Sequence, residues 1–320
     1  MDRGHRVDVV TIGETMAALR SDGPLRLGGA AQWSVAGAES TVAIGLARLG
    51  HSVRWIGRVG ADEPGALVLR TLRAENVDTT LARVDPGAPT GLILFEARTA
   101  DVTRVCYYRA GSAGSRLAAA DLDGGLPAGT RIVHLTGITP ALGTGPAEAV
   151  RAAVAAAREA GARVSLDVNY RSRLWSRDSA AQALRPLIGM VDVLIASGDE
   201  LALVSPAGLS SQDDRVAALL AAGVGEVVLT RGAGGARAVT SGGAAAAPAR
   251  KVPVVDPVGA GDAFVAGYLS GVLDGLPVQD RLQRGVTTAG FAVATRGDWE
   301  GLPTRDELAL LDASPGTTLR

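Results

Sequence analysis

Over most of this chain, short apolar runs alternate with longer stretches in which apolar residues recur every three or four positions. Val7–Ile12, Val53–Gly57, Ile132–Leu135, Val164–Val168, Val191–Ile195 and Val227–Leu229 read as buried strands. The alanine-rich stretches Ser40–Leu49, Gly65–Ala74, Pro146–Ala160 and Asp213–Ala222 read as the helices between them. Strands this continuously apolar have no wet face. Alternating with helices of this size, they predict a three-layer α/β fold with a mostly parallel central sheet covered on both faces. Right-handed crossovers bring the C-terminal ends of parallel strands to one edge, and ligands gather there.

Two regions break the rhythm. Residues 15–36 read as loop-rich, with Gly23-Pro24 and Gly28-Gly29. Within 89–109, two β-like runs, Gly91–Ala97 and Val102–Arg109, are joined by the polar turn Arg98–Asp101. Such a hairpin inside an α/β series predicts a small accessory sheet, either a lid over the ligand edge or plain surface decoration. The low-complexity patch Gly242–Ala247 predicts a turn and an edge strand. Residues 1–320 are expected to form one domain, with these lid segments inserted in it.

Composition narrows the function. Of the 320 residues 47% are hydrophobic but only 3% aromatic, so the core is built mainly from Ala, Val and Leu. No apolar run reaches membrane-spanning length, and the first residues carry no signal-peptide pattern, so a cytoplasmic protein is expected. A net charge of −1 offers nothing to nucleic acid. The lone Cys106 leaves no disulfide framework or CxxC metal site. Lys251 is the only lysine and lies in neither a Walker A nor a protein-kinase motif. A protein of this composition that handles ATP must grip its phosphates in another way.

Val252–Gly271 offers one. The strand-like Val252-Pro253-Val254-Val255 runs into Asp256-Pro257-Val258-Gly259-Ala260-Gly261-Asp262, and a helical pattern follows from Ala263. Glycines at a strand-to-helix turn allow close backbone approach. The free N–H groups of the first helical turn then converge into an anion hole. Asp262, inside that turn, is placed to take the proton of an attacking hydroxyl while the Gly259–Asp262 amides hold phosphoryl charge. An aspartate at a helix start can also be a simple cap.

The string resembles the C-terminal signature of the ribokinase-like (PfkB) family of sugar kinases. The N-terminal half agrees in Ala36-Gly37-Ala38-Glu39-Ser40-Thr41-Val42-Ala43, Leu46-Ala47-Arg48-Leu49-Gly50 and Ile56-Gly57-Arg58-Val59-Gly60-Ala61-Asp62. Ala36 and Thr41 stand where the family usually has Gly and Asn. Tyr107-Tyr108-Arg109-Ala110-Gly111-Ser112, His134-Leu135-Thr136-Gly137-Ile138-Thr139 and Ser165-Leu166-Asp167-Val168-Asn169-Tyr170-Arg171 resemble the 2-keto-3-deoxygluconate kinases of that family.

The resemblance implies ATP as phosphoryl donor, Mg2+ as cofactor and a small sugar acid as acceptor. It allows a monovalent cation near Asp256 and implies a homo-oligomer. Among the residues, it implies Asp262, Gly259, Ala260 and Gly261 for catalysis. Gly37, Tyr107, Arg109, Arg171 and Asp298 would meet the substrate, and Asn169, Arg171, Thr230, Gly232, Gly235, Gly259 and Gly261 the nucleotide. Glu200 would organise Mg2+ through water, with Ser197 in place of the family's Asn. Arginine with tyrosine suits a carboxylate independently of any family. Tyr107 and Arg109, two apart on a strand-like run, face the same way. Glu14 and His134 are expected near the ligand edge. Other acceptors remain open, namely fructose, ribose or a 2-deoxy-5-keto sugar acid, as does a non-catalytic sugar-binding protein on the same fold.

Overall fold

The computed structural model describes residues 6–99, 102–123 and 125–312. His5 and the turn residues 100 and 101 lie outside the described residues. In chain order the strands are β1 Val9–Ile12, β2 Met16–Ser21, β3 Ala31–Ala36, β4 Val53–Ile56, β5 Arg58–Gly60, β6 Val77–Asp78, β7 Arg83–Asp85, β8 Leu92–Thr99, β9 Val102–Tyr108, β10 Ile132–Thr136, β11 Arg163–Asp167, β12 Val193–Ser197, β13 Glu226–Thr230, β14 Ala236–Thr240 and β15 Gly243–Ala247. The helices are α1 Ala38–Arg48, α2 Glu63–Ala74, α3 Thr144–Glu159, α4 Arg177–Leu184, α5 Leu201–Val204, α6 Gln212–Ala221, α7 Ala260–Leu273 and α8 Val278–Val293.

Among the described residues, nine strands form the large sheet in the order β15-β14-β13-β12-β11-β10-β1-β4-β6. Its pairings are parallel from β13 to β6; β14 alone runs against the others and pairs antiparallel with both β13 and β15. Successive residues of one strand enter opposite cores, which is why the runs are apolar throughout. Val9, Val193 and Ile195 pack with Val42, Leu46, Phe264 and Leu269 of α1 and α7. Val10, Ile12 and Leu194 pack with Val150, Val154, Leu184 and Leu219 of α3, α4 and α6.

The second sheet has the order β3-β2-β8-β9. The expected hairpin is β8–β9, paired antiparallel. The loop-rich reading of 15–36 is only half right. Met16–Ser21 and Ala31–Ala36 are strands, and the glycines lie in the connection between them. Parallel pairing with β8 supplies the long-range partner that local pattern could not reveal. This sheet buries Met16, Ala18, Ala36, Ile93 and Phe95, with Val258 of the helix-start loop packed against them.

The strand expected at Val252–Val255 does not form. Pro253 has no N–H to give a ladder, and Val254 and Val255 are exposed. The segment is held instead where Val255 N and Asp256 N donate to Val293 O, at 2.7 and 3.2 Å, past the end of α8's hydrogen-bonded turns. His134 is not at the ligand edge either. It is fully buried in mid-strand, where loss of water lowers its pKa to about 3.

The largest fully buried side chain is that of Trp55 on β4, whose indole fills the space a side chain at Gly57 would need. Trp55→Ala is expected to cost about 3–5 kcal/mol, read as a lower urea midpoint with an unchanged slope.

Candidate active site

A cleft of about 830 Å³ lies between the C-terminal edge of the large sheet and the inner face of the small one. It brings together Gly37, Tyr107, Arg109, Arg171, Gly259, Asp262 and Asp298 from distant parts of the chain. Thr230 ends β13 at the same sheet edge, level with Ser197 of β12. It does not line this cleft, nor do Gly232, Gly235 or Glu200.

Gly259 carries the turn into α7. Its φ of 75° is left-handed, and a Cβ there would lie 2.2 Å from the Asp298 carbonyl oxygen. Only glycine meets both demands. No side chain caps α7; Ala260 N makes a long 3.4 Å bond to Pro257 O, and Ala263 N returns to Gly259 O at 2.8 Å. The Gly261 and Asp262 amides between them are left for a ligand. A Cβ at Gly261 would meet nothing within 4 Å, so the turn is open on that side.

Asp262 sits half-buried in the first turn of α7, at the cleft. Burial pushes its carboxyl up, Arg171 opposes, Glu39 adds, and the Asn169 amide, 3.4 Å away, opposes; the balance is about 6. A carboxylate poised there can accept a proton near neutral pH. Asn169 has a left-handed φ of 39° and also donates to Asp167 at 3.2 Å. Burial and the nearby Glu200 and Asp262 carboxylates raise Asp167 well above the usual carboxylate range.

Around the acceptor end, Arg109 reaches back to the fully buried Glu14, with Nη2 at 2.5 Å and Nε at 2.7 Å from Oε2. Ser112 donates to the other oxygen. Glu14 therefore aims the guanidinium, which lies 5.8 Å from the centre of the Tyr107 ring. Arg171 is exposed at the cleft, and among the described residues its guanidinium makes one hydrogen bond, to Tyr170 O at 3.3 Å. Glu200 uses its two oxygens to accept the Tyr170 and Ser197 amides, each at 2.7 Å, tying the loops after β11 and β12 together.

Two residues escaped the sequence reading. Glu39, quoted only as part of a motif, is buried in the first turn of α1 and accepts from Thr136 and Thr139 at 2.7 and 2.6 Å. Burial raises its pKa. A lone carboxylate in an otherwise small and apolar helix was the available signal. Arg20 of β2 reaches Asp256 at 3.1 Å and Asp298 at 2.6 Å. For it the signal was an arginine on a strand face shared with the buried Ala18 and Met16. Asp298 is pushed up by burial, opposed by Arg20 and reinforced by Asp262, Glu300 and Asp256, to about 7.

The model of the pfkB family of carbohydrate kinases matches residues 7–305. The chain is 35% identical to a 2-dehydro-3-deoxygluconokinase of Bacillus subtilis, over 95% of both chains. It is 37% identical to one of Thermoproteus tenax, over 94% of this chain and 93% of the other. Among solved structures, it resembles a Vibrio cholerae fructokinase double mutant in its fructose-, ADP- and potassium-bound form. That likeness has a TM-score of 0.83 at 25% identity and covers 97% and 99% of the two chains. This chain belongs to the pfkB family of carbohydrate kinases and has its ribokinase-like fold.

Gly259→Ala is expected to lower kcat by about 10²-fold through displacement of the hole. The same variant should lower the melting temperature, because it strains the left-handed turn as well as meeting Asp298. Steady-state rates and thermal unfolding read the two effects separately.

Proposed function

We propose that this protein transfers the γ-phosphoryl group of ATP to the terminal hydroxyl of 2-keto-3-deoxygluconate. The observation that carries the reading is the single cleft in which Asp262 and the uncapped start of α7 face Tyr107, Arg109 and Arg171. One end supplies a base and an anion hole, the other guanidinium and phenol groups for a carboxylate. The relatives named for this reaction cover nearly the whole chain.

In this reading Asp262 takes the proton of the 6-hydroxyl as its oxygen bonds to the γ-phosphorus. The bond from that phosphorus to the β–γ bridging oxygen breaks, and ADP leaves with the electron pair. The amides of Gly259 to Asp262 hold the charge on the transferring group. Arg171 stands between the two ends and serves both phosphates and sugar acid. Asn169, Thr230, Gly232 and Gly235 would hold the nucleotide along the sheet edge. Closure of the four-stranded sheet over the cleft would exclude water.

Mg2+ fits the donor set in a restricted way. Among the described residues no three acidic, histidine or cysteine side chains form a metal site. Yet Asp167, Asp262 and Glu200 crowd negative charge at one place. A hydrated Mg2+ held chiefly by the phosphates, with these carboxylates in its outer shell, suits that arrangement. It would offset charge on the β- and γ-phosphates. Glu200 also accepts two backbone amides, so it would place the loops as well as face the hydrated ion. A monovalent cation does not fit at Asp256, where N–H groups of the chain already surround the carboxylate.

A panel of 2-keto-3-deoxygluconate, its galacto epimer, fructose and ribose, followed by ADP release, should give the highest kcat/KM with a sugar acid. A preference for fructose would overturn the acceptor assignment. Asp262→Asn should lose about 10²–10⁴-fold in kcat with little change in ATP binding.

The active form of Asp262 is the carboxylate. With the group raised to about 6, kcat/KM should be flat above neutrality and fall as pH drops through that value. Arg171 holds the pKa down, so Arg171→Met should move the acid limb to higher pH. A limb that stays put would remove Arg171 from contact with the base.

A further inference from the structure

One buried guanidinium fastens the lid sheet to the loop that carries the anion hole. Arg20 lies on β2, and its side chain is only 6% exposed. Its two terminal nitrogens bridge Asp256 at 3.1 Å and Asp298 at 2.6 Å. The ring of Phe95, on neighbouring β8, lies 3.8 Å from the guanidinium carbon. Asp256 opens the turn that ends in Gly259, and the Asp298 carbonyl is what a side chain at 259 would strike. Arg20 therefore joins the two segments whose contact shapes the hole.

The surroundings of Asp256 leave no place for an added cation. One oxygen accepts from Val258 N at 3.1 Å; the other accepts from Arg20 and from Gly297 N at 3.3 Å. A hard cation needs oxygen ligands. To reach these it would have to expel a guanidinium held by two carboxylates and an aromatic face. Access is not the obstacle: Arg20 and Asp256 line a half-open cavity of about 510 Å³ that shares Phe95 and Thr103 with the sugar cleft. The charge itself is needed. The carboxylate of Asp256, left without Arg20, would set negative charge beside a hole that must receive a negative phosphoryl group, in surroundings where such fields are weakly screened.

We infer that Arg20 is a positioning residue whose guanidinium supplies, from within the chain, the positive charge that a bound potassium ion would otherwise supply beside the anion hole, so that this protein works independently of monovalent cations. Its kinetic arm rests on the phosphotransferase reading above; its binding arm does not.

The binding arm is thermal unfolding in potassium chloride and in tetramethylammonium chloride, each at about 0.1 M so that screening is equal. The native protein should melt within about 1 °C in the two salts, whereas Arg20→Gln should melt lower and regain several degrees in potassium alone, through preferential binding to the folded state. In the kinetic arm, native turnover should differ by less than about twofold between the salts, and Arg20→Gln should lose about 10–100-fold in kcat, with most of it restored by potassium. A purely structural role would give no such rescue. Arg20→Lys keeps the charge but not the planar fork, and should be slower yet still insensitive to potassium.

Potassium that stabilises the native protein, or activates it about tenfold or more, overturns the inference. So does an Arg20→Gln variant that is as fast and as cation-insensitive as the native chain. If Arg20→Gln does not fold, the native protein and Arg20→Lys decide the matter by the same two readouts. A protein that phosphorylates no sugar in either salt refutes the kinase assignment, and the melting comparison still judges Arg20.

Discussion

Gly259 and the Asp298 carbonyl approach so closely that a single added carbon would collide, and the candidate site is arranged around that contact. The segment leading to Gly259 has no strand ladder to hold it. Its place is set by two backbone bonds to Val293 O and by side chains: Asp256 gathers N–H groups from Val258, Gly297 and Arg20, and Val258 packs into the apolar cluster of the small sheet. The start of α7 is thus positioned from the lid as much as from the large sheet. The small sheet and the start of α7 are parts of one packed unit.

The second organising feature is a concentration of carboxylates in a space from which water is largely excluded. Glu39, Asp167, Asp262 and Asp298 all have raised pKa values, with burial the leading cause each time. Arginines answer them unequally. Arg20 is locked between Asp256 and Asp298, and Arg109 is locked on Glu14. Arg171 alone of the three is loosely held. That difference suits the division of labour proposed here: fixed charges shape the cleft, and an exposed one meets the ligands. Asp262 sits where burial outweighs a nearby cation, which leaves it able to exchange a proton near neutral pH.

Much of this was legible in the chain. Continuous apolar runs identified six of the parallel strands of the large sheet, because residues buried on both faces must be apolar without alternation; the two-residue β6 was too short to show. The β8–β9 hairpin showed itself as two short β-like runs about a polar turn. The Gly-Ala-Gly-Asp turn announced its backbone, since a left-handed glycine before a helix is a local property. Tyr107 and Arg109 could be paired from their spacing, and they do share the cleft. Val252–Val255 misled, because β-branched composition reports what a strand would tolerate and says nothing of whether a neighbour is present. Met16–Ser21 and Ala31–Ala36 were missed for the converse reason: they pair with each other across a glycine-containing connection, and the strand that joins them to a sheet, β8, lies far along the chain.

The sequence by itself determined the layered α/β architecture, the helix-start turn with its aspartate and the resemblance to sugar kinases. Each is written in residues close together in the chain. Only the tertiary structure decided what stands beside that turn. Arg20 and Asp256 are separated by 236 positions, and Arg20 and Asp298 by 278. Glu39 and the threonines that hold it are about a hundred apart. No local pattern encodes such meetings. Charge neutralisation and desolvation depend on distance in space, and the folded sheets alone set that distance.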